Sequence, residues 1–191
     1  MHLFNRLFGW IAVILMQQIL SPRVMLILGF CLPAPYSQAL ADAPIEYQVK
    51  AAFVYNFIAF TQWPIDGMSQ TINLCVYGKD YFGREIDKLA RRPIDKRTIE
   101  VIRTSNPTYL KNCQVVFFSK STNDIAGILH NLHDRPVLTL ADSANAISEG
   151  IIINLDVMDE KIVFEINLGI ARKSGLDFSS KLLQLAVKVH Q

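Results

Sequence analysis

Several groups of side chains in this 191-residue chain have types and spacings that could do chemistry, and each also has a plainer reading. The turn YGKDYFG at Tyr77 to Gly83 stands where an α/β fold would cradle a phosphate on backbone amides. Its two glycines are five apart and match neither GxGxxG nor GxxxxGK[ST], so it reads as an ordinary strand-to-helix turn. His130 and His133, three apart near a helix end with Asp134 alongside, have the spacing of two ligands to one metal ion. No further Asp, Glu or Cys pattern completes that set, and a solvated helix terminus accounts for it. Ser179-Ser180-Lys181 has the composition of a serine–lysine nucleophile pair, but it falls in the first turn of a helix, where serine caps backbone amides. Asp156, Asp159 and Glu160 share a loop that offers a weak calcium site or, more simply, a solvated turn. Nothing brings a nucleophile, a base and an orienting group together, so no catalysis, cofactor or metal is expected.

Asn56 is a different kind of polar residue, because it interrupts an otherwise apolar helix. A buried amide must be hydrogen-bonded or it costs about 1–3 kcal/mol. The expectation is a structural tie, with the turn at Asn167 as partner.

The helix around Asn56, IEYQVKAAFVYNFIAFTQW from Ile45 to Trp63, is the element the others must cover. Apolar residues recur at Ile45, Val49, Ala52, Phe53, Phe57 and Phe60 with helical period, and Ala51, Val54, Ile58 and Ala59 make the opposite face apolar too. Such a helix is either sandwiched in a core or lends one face to a partner. Val54, Tyr55, Ile58 and Trp63 are the candidates for that partner or dimer face, with Glu at Val54 or Ile58 as the discriminating substitution. Pro44 suits a first turn and Pro64 blocks continuation.

After a turn at Asp66-Gly67, strands are expected at Thr71–Tyr77, Thr98–Ile102, Gln114–Phe118 and Val137–Leu140, with helices over Asp80–Ala90 and Ser119–His133 between them. That alternation favours a mostly parallel central sheet flanked by helices, an α/β/α sandwich. The chain then changes character. Ile151–Leu155 and Lys161–Ile166 read as a hairpin, Asn167 caps a short helix ending at Gly175, and Asp177 opens a terminal helix burying Leu182, Leu185, Ala186 and Val189.

Residues 1–41 read as an export signal. Arg23 precedes the apolar run Val24–Leu32, a turn-prone Pro33–Pro35 follows, and Ala39-Leu40-Ala41 fits a cleavage site after Ala41. An earlier apolar run, with Arg6 before it, makes the leader long, and Met16 is an alternative start. Pro22 and Arg23 break the run before the ~20 residues a spanning helix needs, which disfavours an uncleaved anchor. Phe30 is too large to precede Cys31 in a lipidation site. The 19 Lys and Arg include Arg6 and Arg23, and the remaining 17 balance the 17 Asp and Glu, so residues 42–191 form a neutral single domain with no basic field for nucleic acid. Exported chains meet oxidising conditions, so Cys75 and Cys113 either form one disulfide or remain two buried core thiols. A bridge would close 38 residues and stabilise by about 3–4 kcal/mol.

Two long segments of unusual composition, EYQVKAAFVYNFIAFTQWP after the leader and FEINLGIARKSGLDFSSKLLQLA near the end, resemble the YfiR-like family of small periplasmic proteins. The resemblance spans Asp42 to Gln191, with the middle similar mainly in its order of strands and helices. It implies an α/β sandwich, a homodimer and a non-enzymatic regulator. Such a protein binds and represses the periplasmic sensor region of an inner-membrane diguanylate cyclase, which lowers cyclic-di-GMP and biofilm formation. An OmpA-like outer-membrane lipoprotein relieves the repression by sequestering it. The resemblance also implies the Cys75–Cys113 bridge. Some members carry a second cysteine pair nearer the end; the corresponding stretch here, DSANAISEGIIINL from Asp142 to Leu155, has none. The competing class is a periplasmic small-ligand-binding module feeding a membrane sensor, for which a pocket lined by Tyr55, Trp63 or Tyr77 would speak.

Overall fold

The first helix starts and stops where its flanking residues dictate. In the computed structural model, which describes residues 44–64, 69–132 and 135–191, α1 (Ile45–Phe60) follows an extended Pro44. Thr61 ends it by leaving helical geometry while its hydroxyl donates back to the Phe57 carbonyl at 2.6 Å. The leader at 1–41, the alternative start at Met16, the Asp66-Gly67 turn and His133 lie outside the described residues.

From Thr61 the chain enters β1 (Thr61–Gln62), and the alternation read from the sequence follows. It runs through β2 (Thr71–Tyr77), α2 (Arg84–Asp87), β3 (Thr98–Thr104), β4 (Val115–Phe118), α3 (Ile125–Leu129) and β5 (Leu138–Ala141). The remainder is β6 (Ile153–Met158), β7 (Lys161–Asn167), α4 (Leu168–Lys173), β8 (Asp177–Phe178), α5 (Ser180–Leu183) and β9 (Lys188–His190). Seven strands form one mixed sheet in the order β3-β2-β4-β5-β6-β7-β9, parallel throughout except between β6 and β7. β1 and β8 form a small antiparallel pair of their own. The mostly parallel α/β architecture and the β6–β7 hairpin are as the sequence implies.

The terminal helix is a correction. Only Ser180–Leu183 is helical, capped by the Ser179 hydroxyl, and the chain then joins the sheet as β9, parallel to β7. Val187 and Val189 are β-branched, and pairing them with β7 satisfies backbone groups that a frayed helix end would leave open, starting with Val187 N–H to Phe164 O at 3.0 Å. The two middle helices are also shorter than their apolar spacing suggests, each passing into a 3-10 turn, Lys88–Arg91 and His130–Leu132.

Alternation along the strands divides the interior. Ile72, Leu74 and Val76 of β2, Val115 and Phe117 of β4, and Leu138 and Leu140 of β5 face α1 and α2, joined by Leu155, Phe164 and Ile166 of the hairpin. Cys75, Val116, Phe118 and Ala141 face the other way, onto Leu110, Ile125 and Leu132. Cys75 and Cys113 form a disulfide within this second layer.

Candidate interaction surface

Within α1, the core takes the residues that sit directly over the sheet. Val54, Phe57 and Ile58 are completely buried, and the Phe57 ring lies 4.9 Å from that of Phe164 in an edge-on arrangement. Val54 and Ile58 are therefore not a partner face: they point into the larger core, and a charge at either would be buried without a counter-ion. Tyr55 is half-buried, with its hydroxyl donating to Pro93 O at 3.1 Å and the Arg92 guanidinium 4.2 Å from its ring centroid. Trp63 is likewise half-buried against the core, its indole N–H buried and without a partner among the described residues.

Asn56 is exposed and makes no tie to Asn167. Asn167 caps α4, its side-chain oxygen accepting from Ile170 N at 3.0 Å. A local N-cap satisfies Asn167 without a distant partner, and water satisfies Asn56.

The face that α1 leaves open is Ile45, Val49, Ala52, Asn56 and Ala59, with Ile45 79% and Val49 40% exposed. These positions alternate four and three apart, the spacing of a helix–helix seam, and one of them is a single Asn, a residue that sets register in such seams. The seam continues onto the hairpin. β5 pairs with β6 only at Leu140–Ile153 and Ala141–Asn154, and β9 reaches β7 only at Glu165–Asn167, so the outer half of the hairpin projects beyond its neighbours. Its Val157 and Ile162 form a cross-strand pair and, with Ile45, Val49 and Phe53, line an apolar groove of about 410 Å³. Val157 and Met158 are about half exposed. Exposed apolar side chains gathered in one place make this the candidate association surface among the described residues.

A buried polar cluster fixes α1 behind that surface. Asp142, just past β5, accepts from Lys50 Nζ at 2.8 Å, from Tyr47 Oη at 2.6 Å and from Lys120 N at 2.8 Å. Lys50 also pairs with Glu46 one turn back along α1. Burial, followed by the bond to Asp142 and its charge, pushes the Tyr47 hydroxyl well above the ordinary tyrosine range. Sequence reasoning passed over this cluster, because Lys50 and Asp142 are 92 residues apart and no local pattern joins them. The one local sign was a lysine between Val49 and Ala51 on an otherwise apolar helix.

Tyr55, Trp63 and Tyr77 line neither the groove beside Val49 and Val157, nor the polar groove at Asn154 and Glu165, nor the cleft at Leu129 and Ile170. Among the described residues no three His, Cys, Asp or Glu side chains converge as metal ligands, and no helix is long and apolar enough to cross a membrane.

A family model described as YfiR/HmsC-like matches residues 47–187. Among solved structures, the chain is similar to a conserved domain protein from Vibrio cholerae O1 biovar El Tor, with a TM-score of 0.52 and 10% identity. That match covers 78% of this chain and 61% of the Vibrio protein, so the chain spans about three fifths of its length. A further similarity, to the ABC domain in complex with L-Trp from Streptococcus pneumonia, has a TM-score of 0.45 and 7% identity over 62% of this chain and 55% of the other. No curated protein matches significantly. At 10% identity the Vibrio structure speaks to the fold alone.

Proposed function

Because the chain belongs to the YfiR/HmsC-like family, we propose that it is a periplasmic repressor that binds the sensor region of an inner-membrane diguanylate cyclase and holds it inactive. Residues 42–191 act as one domain after cleavage of the leader behind Ala41. Binding keeps cyclic-di-GMP low, and an OmpA-like outer-membrane lipoprotein frees the cyclase by sequestering the repressor. The protein performs no catalysis: its output is occupancy of a partner.

The observation that carries this reading is the open apolar seam of α1 and its continuation on the hairpin arm, a surface suited to another protein. A core disulfide is consistent with an oxidising compartment. The same seam is where a second copy would compete, so homodimer and repressor–cyclase complex are alternative occupants of one surface.

The test is direct binding of the purified, oxidised protein to the periplasmic regions of the inner-membrane diguanylate cyclases of its own organism. Saturable binding that V49E or A52E weakens at least tenfold supports the reading. Binding that survives both substitutions would move the interface elsewhere, and no binding would refute the repressor assignment.

A further inference from the structure

Away from the seam, the sheet opens a second cleft for which the repressor reading has no use. β5 and β6 run side by side only from Leu140–Ile153 onward, and at their near ends the strands part. Where a ladder hydrogen bond would have been, the Thr139 hydroxyl accepts from Ile152 N at 3.1 Å. The gap so formed is a cleft of about 380 Å³ between α3 and α4, within the roughly 300–1,000 Å³ typical of small-molecule sites.

Its floor is Val137, Thr139 and Ile152, all at most 5% exposed, and its walls are Leu129, Leu132 and Ile170. Gly150 keeps the walls close, since a Cβ there would stand 3.3 Å from Leu129 Cδ1. The rim is polar: Arg135, Lys173 and Glu149 are exposed around the mouth. Neither Arg135 nor Lys173 has a carboxylate partner among the described residues. The floor adds one more donor, because the buried Thr139 hydroxyl accepts from Ile152 N with one lone pair and its proton has no acceptor among the described residues.

We infer that this cleft binds a small amphipathic anion, a carboxylate on an apolar body. The apolar walls take the hydrocarbon part, and the excess of donors and positive charge at Arg135, Lys173 and Thr139 selects the carboxylate. Glu149 disfavours a second negative charge, which points to a monoanion. The inference stands independently of the repressor assignment, since it uses none of the α1 seam.

Calorimetric titration of the purified protein with 4-phenylbutyrate and with octanoate tests it, using 4-phenylbutanamide and 4-phenylbutylamine as the neutral and cationic controls. The expected result is saturable binding of a carboxylate with a micromolar to low-millimolar Kd, at least tenfold tighter than either control. R135Q/K173Q should weaken it at least tenfold, and A126W, which narrows the mouth without changing charge, should weaken it comparably. Circular dichroism of both variants should match the parent, since all three side chains are exposed. No saturable binding of either carboxylate, equal binding of amine and carboxylate, or binding indifferent to both variants would overturn the inference.

Discussion

The two sides of the sheet are held by different means. On the α1 side, β2, β4, β5, β6 and β7 all contribute buried residues, and aromatic rings meet across the layer, Phe57 on Phe164 at 4.9 Å and Phe82 on Phe117 at 4.7 Å. On the other side β2, β4 and β5, with Ile102 of β3 at their margin, are covered by short helices and turns. Over β6, β7 and β9 that face carries Asn154, Asp156, Glu165 and His190 along a polar groove. The disulfide lies in this thinner layer, joining β2 to Cys113, two residues before β4. Covalent reinforcement thus sits where apolar burial is scarce, while the thick layer relies on burial and on the buried Lys50–Asp142 pair.

The largest expected effect breaks the thick layer at its ion pair. D142A leaves the Lys50 ammonium, 3% exposed, with only Glu46 beside it and strands the Tyr47 hydroxyl and Lys120 N–H. Removing one member of a buried pair costs about 3–5 kcal/mol, whereas replacing both by apolar groups of similar size is often nearly neutral. Urea unfolding should therefore show a large loss for D142A and substantial recovery in K50M/D142L. Equal losses in the two variants would mean that the pair stabilises in its own right.

Next in size is the thin layer. Replacing both Cys75 and Cys113 by Ala frees a 38-residue loop and should cost about 3–4 kcal/mol in the chain-entropy model. The comparison adds where the loss falls: hydrogen exchange should accelerate around β4 and Pro107–Asn112, while α1 keeps the protection its own core gives it. Uniform acceleration would show that the two layers unfold as one unit.

How much of this was legible in the sequence depends on the range of the forces involved. The strands, their alternation with helices and the hairpin are local, so periodicity and turn residues revealed them. The orientation of α1 was not legible, because a helix apolar on both sides gives no period to tell core from surface. Val54 and Ile58 thus look as available as Ala52 and Ala59, and only their complete burial in the larger core decides between them. The terminal strand was hidden for a related reason: Leu182, Leu185 and Val189 fit a helical face, and pairing with β7, more than 20 residues earlier, overrode it. Asn56 suggests a structural tie because its neighbours are apolar, although an exposed amide in an open seam explains it without one.

Smaller still is a pH effect confined to the thick layer. In the folded chain the Tyr47 hydroxyl is held neutral well above its ordinary value near 10, by burial and by its bond to Asp142. Its contribution to stability is complete below that pH and is lost as pH rises beyond it, because only the unfolded chain gains by ionising the phenol. The loss is about 1.4 kcal/mol per pH unit. Y47F should be less stable than the parent at neutral pH, through the lost bond to Asp142, yet its stability should fall less steeply above pH ~10. Parallel slopes for the two proteins would show that the phenol ionises freely in the folded state.

The smallest effect on stability falls on the surface the two layers leave open. Ala59 is exposed at the end of the seam, with its Cβ in solvent, so A59E should change the unfolding free energy by no more than about 0.5 kcal/mol. A glutamate there would nonetheless place a charge in any helix packed along Val49, Ala52 and Asn56, where close approach depends on small side chains. Urea unfolding should accordingly show unchanged stability for A59E while sedimentation shows weakened association, with the buried Val54→Glu grossly destabilised instead. If A59E and V54E behaved alike, the division of α1 into a core face and an open face would fail, and with it the reason for placing a partner on this side of the sheet.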